Sequence, residues 1–454
     1  MIQLLLLILT ILYMFLITRK GFLVSASFYW LMLFSFIYII PLIFPNEFIT
    51  IVDIRPETLR KLELLSLIAL LSFISCNAMF LRRSFTADIL SYGKLKSWTI
   101  TLKKLYKLFI LFVIVLLVII ISFGSINSFD KLLSVGSQVL VDKEVDALSW
   151  LSGILTELCI FCLIMVSFLM IDEVRTIRQK FIVTFLIICA VTLASIMMYA
   201  RRIIIFPVTV IFILQYIRSK NKKKFLLYAM PFTFVLVILM MVMITIRTYG
   251  INNIMHGLSI IFNMNDTAEI MSYVLMITDF SASTNFLAMQ LQTSDVSVTP
   301  LVYLKPLFFF IPRSLWPDKP EATCVLIMQA INFNQDVLNF SAATGLIGEA
   351  FATLGMAGVL IIPSIWGIGC GLLDSHIYRH YMNHATHKQN TLAFYAYLFF
   401  IIQTITGVHR GDTSNAIIEF MSTYLPGLIL LNIFLTKKRI FSLMPWKKNK
   451  FGKS

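Results

Sequence analysis

This sequence is short of charge. Only 13% of its 454 residues are Asp, Glu, Lys or Arg, against about 25% in an ordinary soluble chain. Apolar residues make up 59%, the mean hydropathy is +0.87, and apolar runs of about 20 residues recur from end to end. These figures argue against a soluble enzyme, a nucleic-acid binder or a disulfide scaffold, and for a membrane chain. The period-two alternation of an outer-membrane barrel is missing as well. Positions 108–121 are continuously apolar, so the spanning elements are read as helices.

Cysteine is also scarce. Of six, Cys76, Cys159, Cys162, Cys189 and Cys370 fall inside apolar runs, which leaves Cys324 alone and implies neither a disulfide framework nor a thiolate metal site. There is no Walker-type phosphate loop, dinucleotide fingerprint, HExxH or GxSxG, so ATP is not expected to drive the activity. His376, His380, His384 and His387 have helical spacing, but a solvated loop explains them better than a metal, and no metal is assigned.

What is present is an all-α pattern, a polytopic transmembrane helical bundle. Spans are predicted at 2–18, 21–44, 62–81, 108–123, 148–171, 181–200, 203–217, 225–246, 342–373, 391–408 and 415–436: about eleven, within a range of 10 to 13. Placing 19–20, 82–107, 172–180, 218–224, 374–390 and the tail after 436 in the cytoplasm puts 26 of the 38 Lys and Arg inside. Only Asp88, Asp172, Glu173 and Asp374 of the 23 acids join them. That is the positive-inside bias, and it makes the basic clusters at 218–224 and 437–453 orientation signals beside anionic lipid, not a nucleic-acid site. The first span lacks the basic n-region and cleavage site of a secretory signal, so it is expected to be a retained helix with its N-terminus outside.

No internal repeat or low-complexity linker divides the chain, and 1–454 reads as a single membrane domain. The longest non-spanning stretch, 247–341 between spans 8 and 9, faces away from the cytoplasm on the charge argument. It is too rich in Ile, Met, Phe and Leu to be disordered and is expected to fold against the membrane surface. Within it 268–291 reads as a helix near the interface. Positions 301–310, interrupted by Lys305 and Pro306, are too short to span and suit a re-entrant or half-buried element.

Seven cations of the second half lie on the outer side, where the positive-inside rule does not account for them: Arg201, Arg202, Arg247, Lys305, Arg313, Lys319 and Arg410. Arg201 and Arg202 join two spans at the depth of a lipid phosphate, which a guanidinium grips bidentately; snorkelling to ordinary headgroups, or pairing with an acid, is the plainer alternative. Arg247, in Arg247-Thr248-Tyr249-Gly250, and Arg410, in His409-Arg410-Gly411-Asp412, enter the outer face from different helix pairs. Converging cations suit a pyrophosphate leaving group, on which charge builds as its bond to carbon breaks. The stretch Ile311-Pro312-Arg313-Ser314-Leu315-Trp316-Pro317-Asp318-Lys319-Pro320 is stiffened by three prolines. Its Trp316 could stack on a sugar or anchor at the interface, and its Asp318 could orient a hydroxyl or pair with Lys319. Glu349 is a costly carboxylate at the membrane boundary, a functional candidate or the partner of an outer arginine. As general base the order of preference is His409, Asp318, Glu349, because a histidine titrates near neutral pH unaided. Gly345, Gly348, Gly355 and Gly358 are expected to serve close helix packing.

The proline stretch from Ile311 to Pro320, followed by the glycine-rich span opening at Gly345, resembles the bacterial oligosaccharide repeat-unit polymerases, the O-antigen polymerases of the Wzy type. Arg201, Arg247-Thr248-Tyr249-Gly250 and Arg410-Gly411-Asp412 are similar to positions of the enterobacterial common-antigen polymerase, and the likeness covers roughly 201–419. The resemblance implies a metal-independent, cofactor-free glycosyltransferase of GT-C-like fold on the outer face of the bacterial inner membrane. Such an enzyme would move a growing glycan from polyprenyl pyrophosphate onto the non-reducing end of a new lipid-linked unit. Its partners would be those lipid-linked substrates, the bilayer and a polysaccharide chain-length regulator. Arg201, Arg202, Arg247, Tyr249, Lys305, Arg313, Trp316, Lys319 and Arg410 would bind pyrophosphate and glycan. An O-antigen ligase, with a similar donor and another acceptor, is the second reading. A flippase for lipid-linked units is the third, weakened by the long outer segment.

Overall fold

The structure is a computed structural model that describes residues 2–19, 25–49, 55–82, 102–122, 147–173, 280–293, 296–311, 315–316, 319, 321–331, 344–375, 391–411 and 413–435, together with 176, 179, 182–183, 185–186 and 227. Every regular element among them is helical. In chain order they are α1 (Ile2–Arg19), α2 (Ala26–Ile43), the one-turn α3 (Pro45–Phe48), α4 (Pro56–Arg82), α5 (Leu102–Ser122), α6 (Ala147–Glu173), α7 (Phe280–Gln292), a 3-10 helix (Pro300–Phe308), α8 (Thr323–Ala330), α9 (Leu346–Leu373), α10 (Thr391–His409) and α11 (Thr413–Leu435). Four are long and apolar enough to cross a bilayer: α2, α4 over Pro56–Leu81, α9 and α11. Ile2–Thr18, Ile154–Met170 and Tyr397–His409 are shorter apolar helices. The chain is thus a helical membrane protein. The expected spans at 181–200, 203–217 and 225–246 lie almost wholly outside the described residues.

Two spanning helices contain a widened π turn, Ser35–Ile39 in α2 and Phe420–Tyr424 in α11. Each precedes a proline, Pro41 and Pro426, by about one turn. A proline in a helix lacks an N–H and clashes with the carbonyl four residues back, here Ile37 and Ser422, and a wider turn at that carbonyl absorbs both defects without breaking the span.

The main interface joins α4 and α9. A Cβ at Gly367 would stand 2.5 Å from the Phe73 carbonyl oxygen, and one at Gly371 would stand 3.0 Å from the Phe80 Cβ. Small residues one turn apart therefore let the two backbones touch, which in lipid is the main source of helix attraction. The packing role thus extends beyond the glycines named from sequence, of which Gly345 meets Tyr38 and Ser283, Gly358 meets the Ala350 carbonyl, and Gly355 alone has open space. Gly348 does pack on α7, near Gln290 and Leu287, whereas Gly345 and Gly355 have positive φ, +79° and +61°. At Gly355 (ψ −145°) the α9 helix breaks, and Val298 N–H donates to the Ala352 carbonyl at 2.9 Å just before the break. Helix α7, the described part of the helix expected over 268–291, is buried against α2, α4 and α9 from Ser283 to Ala288, and 268–279 lie outside the described residues.

A buried polar network closes the end of the bundle that the charge count assigns to the cytoplasm. The Asn77 amide donates to Ser27 Oγ (2.7 Å) and to the Gly367 carbonyl (3.0 Å), and accepts from Tyr13 OH (2.8 Å). Asp374, assigned from sequence to a solvated inner loop, is instead fully buried. Its carboxylate accepts from the Ala26 and Ser27 N–H groups at 2.8 and 3.0 Å and from Tyr397 OH at 3.0 Å. The physical reason is the start of α2, whose first N–H groups have no partner within the helix and carry the positive end of its dipole.

Candidate functional site

At the opposite end, the turn between α10 and α11 meets the start of α9. Gly411 N–H donates to the Val408 carbonyl (2.9 Å) and Arg410 N–H to that of Thr406 (3.1 Å), and Gly411 takes φ +79° to reverse the chain. The turn is fastened to α9: Gly345 N–H donates to the Arg410 carbonyl at 3.0 Å, and Thr344 Oγ1 donates to the Gly411 carbonyl at 3.4 Å. Both glycines are sterically required. A Cβ on Gly411 would lie 2.5 Å from the Gly345 backbone, and a Cβ on Gly345 would lie 2.5 Å from Tyr38 OH, which itself accepts from Ile347 N–H at 3.1 Å.

Glu349 is fully buried in the first turn of α9, where the helix dipole favours an anion. Its Oε2 accepts from Thr413 N–H (3.1 Å) and Thr413 Oγ1 (2.8 Å), so the carboxylate caps α11 and holds the turn from the far side. One helix therefore carries a carboxylate at each end, Glu349 and Asp374, and each caps the N-terminus of a different helix.

The 3-10 helix docks on the same place. Lys305 Nζ donates to Asn415 Oδ1 at 3.1 Å, and Tyr303 OH shares a 3.1 Å hydrogen bond with Thr353 Oγ1. Burial first, and the nearby Glu349 carboxylate second, push the Tyr303 phenol well above its ordinary pKa, so it stays protonated.

Of the residues expected from sequence, Glu349, His409, Arg410 and Lys305 converge here, in positions that differ in chemistry. Arg410 is half-buried on the turn. His409 is fully buried behind it, its ring against Trp30 (centroids 4.8 Å) and Phe34 (6.4 Å), and neither ring nitrogen makes a hydrogen bond among the described residues, although the Trp30 backbone is near. Lys319 Nζ donates to the Phe309 and Ile311 carbonyls at 3.0 and 2.7 Å and so closes its own loop, while Trp316 packs edge-on against Phe308 at 6.0 Å. Arg201, Arg202, Arg247, Tyr249, Arg313 and Asp318 lie outside the described residues. Sequence reasoning did not find Thr413, Asn415, Tyr303 or Tyr38. A Gly-Asp pair followed by Thr-Ser-Asn is a helix-start signal that could have flagged Thr413. No three His, Cys, Asp or Glu side chains come together among the described residues.

No protein-family model, curated protein or solved structure matches this chain.

Proposed function

We propose that this chain is a membrane glycosyltransferase that polymerises lipid-linked oligosaccharide repeat units on the outer face of a bacterial inner membrane. The observation that carries the reading is the anchored turn. Arg410, one of the cations expected on the outer side, stands on a turn held by the Gly345 N–H, the Thr344 hydroxyl and the Glu349 carboxylate, and Lys305 docks on Asn415 five residues further on. Fixed cations at the end of a membrane bundle suit a lipid pyrophosphate, whose negative charge rises as it leaves. The absence of any nucleotide motif in the sequence fits a lipid-borne donor.

In this reading the acceptor hydroxyl oxygen attacks the anomeric carbon of the donor glycan, the bond from that carbon to the pyrophosphate oxygen breaks, and a carboxylate takes the hydroxyl proton. His409 is enclosed by Trp30 and Phe34, and Glu349 is committed to capping α11, so the proton falls to Asp318. Arg410, with Arg201, Arg202, Arg247 and Arg313, receives the departing pyrophosphate, and Tyr249 binds the sugars. A GT-C-like arrangement of about eleven spans and a chain-length regulator as partner belong to the same reading.

The test is a surface-polysaccharide gel from a deletion strain restored with variants. Arg410→Ala should collapse the ladder to single repeat units with the protein still in the membrane. Arg410→Lys should restore only short chains, because an ammonium cannot form the bidentate fork. A full ladder with Arg410→Ala removes Arg410 from the site. Long polymer retained on the lipid carrier in the deletion strain would instead mean a ligase.

A further inference from the structure

The 3-10 helix presents a regular apolar stripe to the outside. With three residues per turn, every third side chain falls on one line. Leu301, Leu304 and Leu307 occupy it, and Phe310 follows in the turn just past the helix, with exposures of 60%, 47%, 59% and 60%. Leu315, nearby in sequence, is 78% exposed. Val302 and Pro306 point inward, and Val302 packs in a small cluster with Val298, Ile327 and Ala352. The whole stretch 296–311 contains one cation, Lys305, and no acid. Its charge is drawn to the protein body by Asn415, which leaves the stripe free of charge.

An exposed apolar line of this kind is costly in water and favoured in hydrocarbon. Exposed apolar side chains also continue along the neighbouring α9. Ala352, which packs on Val302, is followed on α9 by exposed Leu354 and Met356, and farther along by exposed Leu360, Ile361 and Ile365 of the span. Nine residues at about 2.0 Å each reach only about 18 Å, so the element cannot cross the bilayer. Because its apolar side chains run along one side, it must lie flat. Phe308 and Trp316, packed edge-on, supply the aromatic pair common at the headgroup level.

We propose that the 3-10 helix Pro300–Phe308 lies flat in the membrane interface, with Leu301, Leu304, Leu307 and Phe310 inserted among the acyl chains of the leaflet at the candidate-site end. The inserted element holds the Lys305–Asn415 contact, and with it the Arg410 turn, at headgroup depth. This holds for any reaction of an amphiphile at that site and does not depend on the polymerase reading.

The test places single nitroxide labels at 301, 303, 304 and 307 in the full-length chain, with the native cysteines replaced and the protein in liposomes. Collision with oxygen, which partitions into acyl chains, is compared with collision with a water-soluble nickel chelate. Oxygen should dominate at 301, 304 and 307, with both collisions weak at 303. Nickel dominating at 304 and 307 would place the stripe in water, and weak collision with both at those positions would mean that protein covers it. Either result overturns the proposal. Should the labelled variants fail to assemble, the fluorescence lost on Trp316→Phe decides. In the otherwise native protein that component should be quenched by lipids brominated near the headgroup and not by aqueous iodide, and the reverse pattern overturns the proposal.

Discussion

Gly411 carries two constraints at once, a left-handed backbone and a neighbour where a side chain would be. The left-handed conformation alone costs a residue with a Cβ roughly 1–2 kcal/mol, and here the Cβ would also meet the Gly345 backbone at 2.5 Å. Gly411→Ala should therefore lower the thermal stability of the detergent-solubilised protein and abolish activity. Gly369→Ala, at a helical glycine with nothing within 4 Å of a Cβ, should leave stability unchanged or raised. Equal melting temperatures for the two variants would refute the steric account of the turn. His409 leads to a less intuitive expectation. Neither buried ring nitrogen has a hydrogen-bond partner among the described residues, a cost that a phenyl ring avoids, while the tilted and edge-on contacts with Trp30 and Phe34 survive. His409→Phe should be active and at least as stable as the native protein. Loss of polymer with the protein intact would return His409 to the role of general base that its unperturbed titration range first suggested.

At the scale of elements, α9 organises the molecule through its ends. Glu349 reaches 64 residues along the chain to Thr413, and Asp374 reaches 348 residues back to Ala26. Neither pairing leaves a local trace. The sequence shows a carboxylate near a span boundary, but the helix it caps is set only once the bundle packs. This is why Glu349 read as a catalytic candidate and Asp374 as a loop residue. Glu349→Gln keeps an acceptor oxygen for Thr413, whereas Glu349→Ala leaves a buried N–H and hydroxyl without it, at a cost of about 1–3 kcal/mol. The alanine variant should lose stability and activity together, and the glutamine variant should retain much of both. Activity lost in the glutamine variant at unchanged stability would show that the charge of Glu349, and not its cap, is what the site uses.

At the scale of the whole molecule, continuous apolar runs made the helices legible. The described helices begin and end within a few residues of the expected spans, except that α2 starts at Ala26, five residues late, and α4 and α5 start at Pro56 and Leu102, each six residues early. Their polar first turns, Glu57 to Lys61 and Lys103 to Lys107, are too hydrophilic for a hydropathy window yet fully helical. Lys305, Arg410 and Glu349, which meet at the candidate site, stood out in the sequence because charge in a membrane chain is rare. Which of the expected residues face a ligand was not legible, because Lys319 folds back onto carbonyls of its own loop, and His409 turns into an aromatic wall built by residues distant in sequence. In the proposed function, an anchored, cationic turn at the end of a membrane bundle extends a glycan on a lipid carrier. The most direct measurement reconstitutes the purified protein in liposomes with polyprenyl-pyrophosphate-linked repeat units, adds chelator and no nucleotide, and separates the lipid-linked products by length. A ladder of two or more repeats, lost with Arg410→Ala, is the predicted result; single units unchanged after incubation with the native protein would contradict the account.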